Sequence, residues 1–356
     1  MSVLQIGVEA VERGFVPDSV TRLAIRRLCG SRVREPERPG PESTGAEFIE
    51  SMRHGPIAPV PHLANEQHYE LPPEFFGLFL GSRRKYSCCF WDENTKTLDD
   101  AEEAALALTC ERAGIADGQR ILELGCGWGS LSLWMAERFP ASTITAVSNS
   151  TPQRHFIEAA ARARGLQNLR VLTADMNDFT PEPTPGSFTE SPQFGRFDRV
   201  VSIEMFEHMR NYELLLRRIA SWLRPGGKLF VHFFCHRTQV YPFETEGAEN
   251  WMGRHFFSGG IMPSAELLRS FSRDLSVTKH WTWDGTHYQR TAEAWLANLD
   301  ARREDALPVL RSVYGDRDAV RWFHRWRMFL MAVSELFGFA GGREWFVAHS
   351  LLEPNR

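Results

Sequence analysis

The spacing of apolar positions changes along this chain, and the change divides it. From residue 120 onward, short apolar runs alternate with stretches of helical period. RILEL precedes SLSLWMAERF, TITAV precedes TPQRHFIEAAARARG, LRVLTAD follows, FDRVVSI precedes YELLLRRIASWL, and KLFVHFF comes last. Runs of about five apolar residues read as strands buried on both faces, and apolar residues every three or four positions read as helices with one buried side. Strands alternating with helices need crossover connections, so the sheet is parallel and covered on both faces, an α/β architecture. Two further strand candidates, LSVTKHWTW and REWFVAHSLL, flank a long apolar helix, DAVRWFHRWRMFLMAVSELFG.

Ahead of the sheet the texture is different. Residues 1–30 read as helical, with Pro17-Asp18-Ser19 as a start and Gly30 as a stop. Val20, Leu23, Ala24 and Leu28 fall on one helical face and Arg22, Arg26 and Arg27 on another, which predicts a buried apolar stripe and a solvated arginine face. SRVREPERPGPESTG then reads as a flexible linker, and TPEPTPGSFTESPQFG as a surface insertion. Residues 235–275, dense in aromatics and glycine, read as a cap over the carboxyl ends of the strands.

Composition narrows the picture. With 356 residues the chain can form one large domain with attached helices. A net charge of -4 argues against a nucleic-acid partner. The 25 Phe and 11 Trp leave material for an apolar substrate pocket beyond the core. Six cysteines without a CxxC pair predict reduced thiols in a cytoplasmic protein and no metal site. The first fifteen residues lack a basic, apolar leader, and no run approaches the ~18 apolar residues of a membrane span. Stable membrane insertion is therefore not expected. Contact of the arginine face with a lipid surface, and a homodimer, stay open.

ILELGCGWGS is the main cofactor signal. A strand runs into Gly125, Gly127 and Gly129, and a helix starts there, so a ligand can lie against bare backbone. A dinucleotide site would place an acid about 20 positions on, after the second strand. TAVSNST carries none, which disfavours NAD. S-adenosylmethionine fits better: Asn149 and Gln153 can serve the ribose, and Asp175 can accept from the adenine amine. The second signal is SIEMFEHM, where Glu204, Glu207 and His208 stand among Ile203, Met205, Phe206 and Met209. Two carboxylates and an imidazole against an apolar wall suit a reaction that takes a proton from an amine and stabilises positive charge on nitrogen. Capping of the next helix, or pairing with Arg210, is the alternative use of Glu207 and His208.

YSCCFW, ILELGCGWGSLSLW, SIEMFEHM, LFVHFFCH, FFSGGIMPS and GTHYQRTAEAW occur here in the order found in cyclopropane-fatty-acid-synthase-like methyltransferases. Within that family the chain resembles the coclaurine N-methyltransferase branch, over nearly its whole length. The resemblance implies a Rossmann-like class I methyltransferase sheet of seven strands, mostly parallel with the last one antiparallel, carrying N-terminal helices and a helical cap. It implies a helical segment and linker over 1–60 and a catalytic domain over 61–356, with the cap at 235–275 and 285–340. S-adenosylmethionine is the implied cofactor. Tyr86, Ser87, Gly125, Gly127, Trp128, Asn149, Gln153, Asp175 and Met176 are the implied cofactor contacts, and Glu204, Glu207 and His208 lie beside an amine substrate.

Cyclopropane synthases also hold a bicarbonate base. The resemblance puts that ion on Cys88, Glu207, His232 and Tyr288. The synthases carry Gly at the position of Glu204 and Cys at the position of Val333, and both departures favour N-methylation of an aromatic or alkaloid-like amine. C-methylation or cyclopropanation of an unsaturated phospholipid acyl chain is the alternative.

Overall fold

Among the described residues the chain forms nine strands. In chain order they are β1 (Arg120–Leu124), β2 (Thr143–Ser148), β3 (Leu169–Thr173), β4 (Phe197–Ile203), β5 (Leu223–His236), β6 (Tyr241–Pro242), β7 (Ile261–Met262), β8 (Leu275–Trp283) and β9 (Trp345–Pro354). The computed structural model describes residues 2–34, 45–61, 71–181 and 197–355. Most of the expected linker and of the TPEPTPGSFTESPQFG insertion lie outside the described residues.

Seven strands make one sheet in the order β3-β2-β1-β4-β5-β9-β8, and β6 pairs with β7 apart from it. The pairs from β3 to β5 are parallel, and β9 runs antiparallel to both neighbours. Chain order reverses between β1 and β4, since β1 hands on to β2 on one side while β4 joins it on the other. At such a switch point the crossovers leave in opposite directions, and a crevice opens beyond the carboxyl ends of the two strands. The glycine turn follows β1 and Glu204 follows β4, so both chemical signals meet at that crevice.

The helices are α1 (Val3–Glu12), α2 (Asp18–Arg34), α3 (Gly45–Ser51), α4 (Pro73–Phe79), α5 (Leu98–Ala113), α6 (Ser130–Arg138), α7 (Thr151–Ala163), α8 (Tyr212–Trp222), α9 (Trp251–His255), α10 (Thr286–Ala301) and α11 (Arg303–Gly338), the last kinked at Gly315. Phe75, Phe76 and Phe79 of α4 pack on Trp326 of α11, and Phe76 also meets Trp128 of the glycine turn at 4.9 Å. One aromatic cluster thus ties the cofactor turn to the long helix. Among the described residues no helix is long and apolar enough to cross a membrane.

The N-terminal helix corrects two expectations. α2 continues past Gly30 to Arg34. Its expected core stripe is turned outward: Val20, Leu23, Ala24 and Leu28 are all exposed. Arg22 and Arg26 turn inward instead, onto Glu335, whose side chain is 4% exposed, and Arg22 also meets Glu293. The buried carboxylate of Glu335 on α11, and the partly exposed one of Glu293 on α10, would be left without counter-charges if the apolar stripe faced them, so ion pairing sets the roll of the helix. Both arginines are therefore engaged in ion pairs within the protein, Arg22 largely covered and Arg26 at the surface.

Candidate active site

The backbone of the glycine turn explains its composition. Gly125, Gly127 and Gly129 have φ of 77°, 53° and 79°, in the left-handed region. A Cβ on Gly125 would strike Met205, and one on Gly129 would strike Ile157. A Cβ on Gly127 would meet nothing within 4 Å. Two of the glycines thus permit close packing, and the third leaves open space.

That space belongs to an open cavity of about 1230 Å³ at the switch point. Its walls include Tyr86, Ser87, Gly125, Gly127, Trp128, Asn149, Gln153, Asp175 and Met176, so the structure brings together the nine residues expected at the cofactor. Trp128 Nε1, Ser130 Oγ and Gln153 Nε2 also face this region, buried and with no hydrogen-bond partner among the described residues. Buried polar atoms without partners are costly unless a ligand satisfies them. A polar, elongated ligand such as S-adenosylmethionine fits this wall. The loop that carries Tyr86 and Ser87 is held from behind. Buried Glu102 accepts from the Gly81, Arg83 and Lys85 N–H groups, and Lys85 Nζ donates to Ser87 Oγ and Cys88 O, each at 2.6 Å.

Glu204 and His208 stand where this cavity meets a second one of about 400 Å³. Its other walls are aromatic: Tyr86, Phe234, Phe257, Tyr288, Trp295 and Phe329. Glu204 has φ 48°, unusual for a residue with a side chain, and its N–H donates to His232 O at 2.8 Å. Its carboxylate is clasped. Oε1 accepts from the Cys88 N–H at 2.9 Å and lies 3.2 Å from His232 Nε2, while Oε2 accepts from the Tyr288 hydroxyl at 2.7 Å. Three of the four residues to which the resemblance assigns a bicarbonate ion therefore surround the chain's own carboxylate. Cys88 contributes its backbone; burial pushes its thiol well up, and Glu204 adds to that, so no thiolate is available.

Glu207 does not share this site. Its side chain is fully buried, lines neither cavity, and accepts from the Phe234 N–H at 2.7 Å through Oε1. Phe206–His208 form a single 3₁₀ turn, in which neighbours point about 120° apart, so Glu207 and His208 cannot face one cavity. Burial, and then the charge of Glu204, raise the Glu207 carboxyl well above its usual range, which favours its neutral form. The Glu204 carboxyl is also raised, by burial first, and Lys85, the Cys88 N–H and the Tyr288 hydroxyl oppose that rise in favour of the ionised form. His208 is driven down to about 4 by burial, so its imidazole is neutral at physiological pH, and its ring stacks on Phe257.

Sequence reasoning missed Lys85, Ser130, Arg112 and His349. Lys85 and Ser130 adjoin flagged residues and could have been found from YSCC and GCGWGS. Arg112 and His349 carry no local signal, because their partners are supplied by the sheet. His349 faces His232 across the β5–β9 pair, with His349 Nε2 2.9 Å from His232 Nδ1. His349 Nδ1 lies 2.9 Å from Arg112 NH1.

A family model described as mycolic acid cyclopropane synthetase matches residues 61–339. An (S)-coclaurine N-methyltransferase of Thalictrum flavum subsp. glaucum is 38% identical over 353 residues, covering 97% of this chain and 94% of that protein. A crystal structure of coclaurine N-methyltransferase bound to N-methylheliamine and SAH superimposes with a TM-score of 0.89 at 36% identity, covering 99% of this chain and 100% of that one. A mycolic acid cyclopropane synthase complexed with SAH and CTAB shares the fold, with a TM-score of 0.67 at 22% identity over 83% of this chain and 99% of that one.

Proposed function

The chain belongs to the mycolic acid cyclopropane synthetase family, and from that premise we propose that it is an S-adenosylmethionine-dependent methyltransferase acting on the nitrogen of an aromatic, alkaloid-like amine. The observation that carries this reading is the Glu204 carboxylate, clasped by the Cys88 N–H, the Tyr288 hydroxyl and the His232 ring where the cofactor cavity opens into an aromatic chamber. The match to (S)-coclaurine N-methyltransferase over nearly the whole of both chains supports it.

Bound S-adenosylmethionine would supply an electrophilic methyl group. Gly127, Trp128, Ser130 and Gln153 would hold its methionine and ribose portions, and Asn149, Asp175 and Met176 its adenosine end. The aromatic chamber would take the ring system of the amine and exclude water. Methyl transfer makes the acceptor nitrogen cationic, and Glu204 stands at the mouth of the chamber to stabilise that charge; the apolar walls strengthen the interaction. His208, held neutral, can accept a hydrogen bond from the amine and orient its lone pair. Glu207 is assigned a supporting role, as a buried carboxyl tying the EMFEHM turn to β5 through Phe234. Residues 61–356 would form the catalytic unit, with 1–60 as a helical attachment.

A mass-spectrometric screen tests this reading. Purified protein and S-adenosylmethionine are incubated with a panel of secondary aromatic amines and, separately, with unsaturated phospholipids. An N-methyl product is expected from the amines. Methylated or cyclopropanated acyl chains without an N-methyl product would overturn it.

A further inference from the structure

An arginine cannot accept a hydrogen bond, and this fixes the direction of a chain of side chains behind the site. Arg112 NH1 donates to His349 Nδ1. His349 is neutral, so its one ring proton then sits on Nε2, which must donate to His232 Nδ1. His232 is neutral for the same reason, and its proton sits on Nε2, aimed at Glu204 Oε1. We propose that Arg112 and His349 are remote positioning residues: through His232 they select the tautomer that presents an N–H to Glu204, and so hold that carboxylate oriented and ionised for the amine.

The surroundings favour a fixed chain. His232 and His349 are both wholly buried. Trp283 packs against them at 4.4 Å from His349 and 5.3 Å from His232, and Phe230 meets His349 at 5.1 Å. The Arg112 guanidinium, half-buried, lies over Trp281 and Trp283. Water that could offer the histidines other partners is kept out by these rings. Burial is the largest cause of the lowered pKa of both histidines, with Lys85 and Arg112 adding to it, so neither becomes an imidazolium.

The orientation also excludes one role. Every proton in the chain points toward Glu204, and its outer end is an arginine, which does not deprotonate in proteins. The chain cannot carry the amine's proton away from the site. It acts on the state of Glu204, which also faces Lys85, Tyr288, His208 and the carboxyl of Glu207, favoured as neutral; His280 faces His349, and Glu111 adjoins Arg112.

The tautomers follow from geometry alone, whereas their effect on turnover rests on the amine reading above. Two measurements separate these. Long-range ¹H–¹⁵N spectra of histidine-labelled protein loaded with S-adenosylhomocysteine should show His232 and His349 in the Nε2–H form at pH 7. An Nδ1–H form of His349 in the unmodified protein overturns the proposal, whatever the variants do. In Arg112→Met the donor is lost, and the acidic limb of the kcat/KM profile should move up by about one pH unit. That is about a tenfold loss on the limb with recovery at high pH, while Arg112→Lys, still a donor, stays near the wild-type profile. A loss equal at every pH, or a lysine variant as impaired as the methionine one, would mark Arg112 as structural only. A wild-type enzyme that methylates no amine would defeat the functional reading and leave the tautomers still measurable.

Discussion

At the scale of single residues, Glu204 concentrates the chemistry. A left-handed φ costs a residue with a side chain about 1–2 kcal/mol, and three donors hold it there. Glu204→Gln keeps the shape and removes the charge, so we expect kcat/KM for the amine to fall roughly 10²-fold or more, with cofactor affinity retained. Glu207→Gln should stay within a few-fold of wild type, because a group already favoured as neutral loses no charge; equal damage from the two variants in steady-state assays would return Glu207 to the site. His208, held at about 4, is neutral above pH 5. The activity ratio of His208→Ala to wild type should therefore stay flat from pH 5.5 to 8, whereas an unshifted histidine would bend it near 6.5. The EMFEHM stretch was legible as a cluster, but its facing was not. That depends on a 3₁₀ turn only three residues long, and on donors from Cys88, His232 and Tyr288 that sequence distance conceals.

Among the elements, β1 and the turn after it separate packing from ligand space. Gly127→Leu carries the cost of a left-handed φ, about 1–2 kcal/mol, but meets nothing within 4 Å of the added Cβ, so it should still fold, yet it should weaken S-adenosylhomocysteine binding by at least about 10²-fold in calorimetric titration. Retained affinity would remove the cofactor from that wall. β1 also carries Glu123, fully buried, accepting from the Ser132 hydroxyl and raised by burial to about 8. A folded pKa above the unfolded 4.5 means that the folded state binds the proton more tightly. This contribution is complete below about pH 4.5 and is lost as pH rises through 8. Glu123→Gln lacks the titration, so its Tm relative to wild type should climb from pH 5 to pH 9; a constant difference would show that Glu123 does not titrate in this range. The seven strands were legible because apolar runs of five need no long-range partner to be recognised. The acid inside RILEL passed as a strand position, since a pattern does not reveal protonation.

For the whole molecule, the roll of α2 shows where patterns stop. Periodicity located an apolar and a basic face correctly but chose the wrong one as buried, because the deciding carboxylates, Glu293 and Glu335, lie far along the chain on α10 and α11. α1 is fixed in the same way: buried Glu12 accepts from Trp251 Nε1 and pairs with Arg321 and Arg325. Charge thus clamps the N-terminal helices onto α11, which also supplies Phe329 to the aromatic chamber. The clamp should be unequal in its parts. Arg26 keeps a side chain 57% exposed, so Arg26→Ala should cost under about 1 kcal/mol in denaturant titration. Arg22 is only 20% exposed, and removing its deeper partner leaves a desolvated guanidinium short of one carboxylate. Glu335→Ala should therefore cost about 2–3 kcal/mol, change little between 0.05 and 0.5 M salt, and speed proteolytic cleavage near Gly14 and Phe15 between α1 and α2. Equal, small and salt-sensitive costs for both variants would mean that the inward arginines do not set the roll of α2.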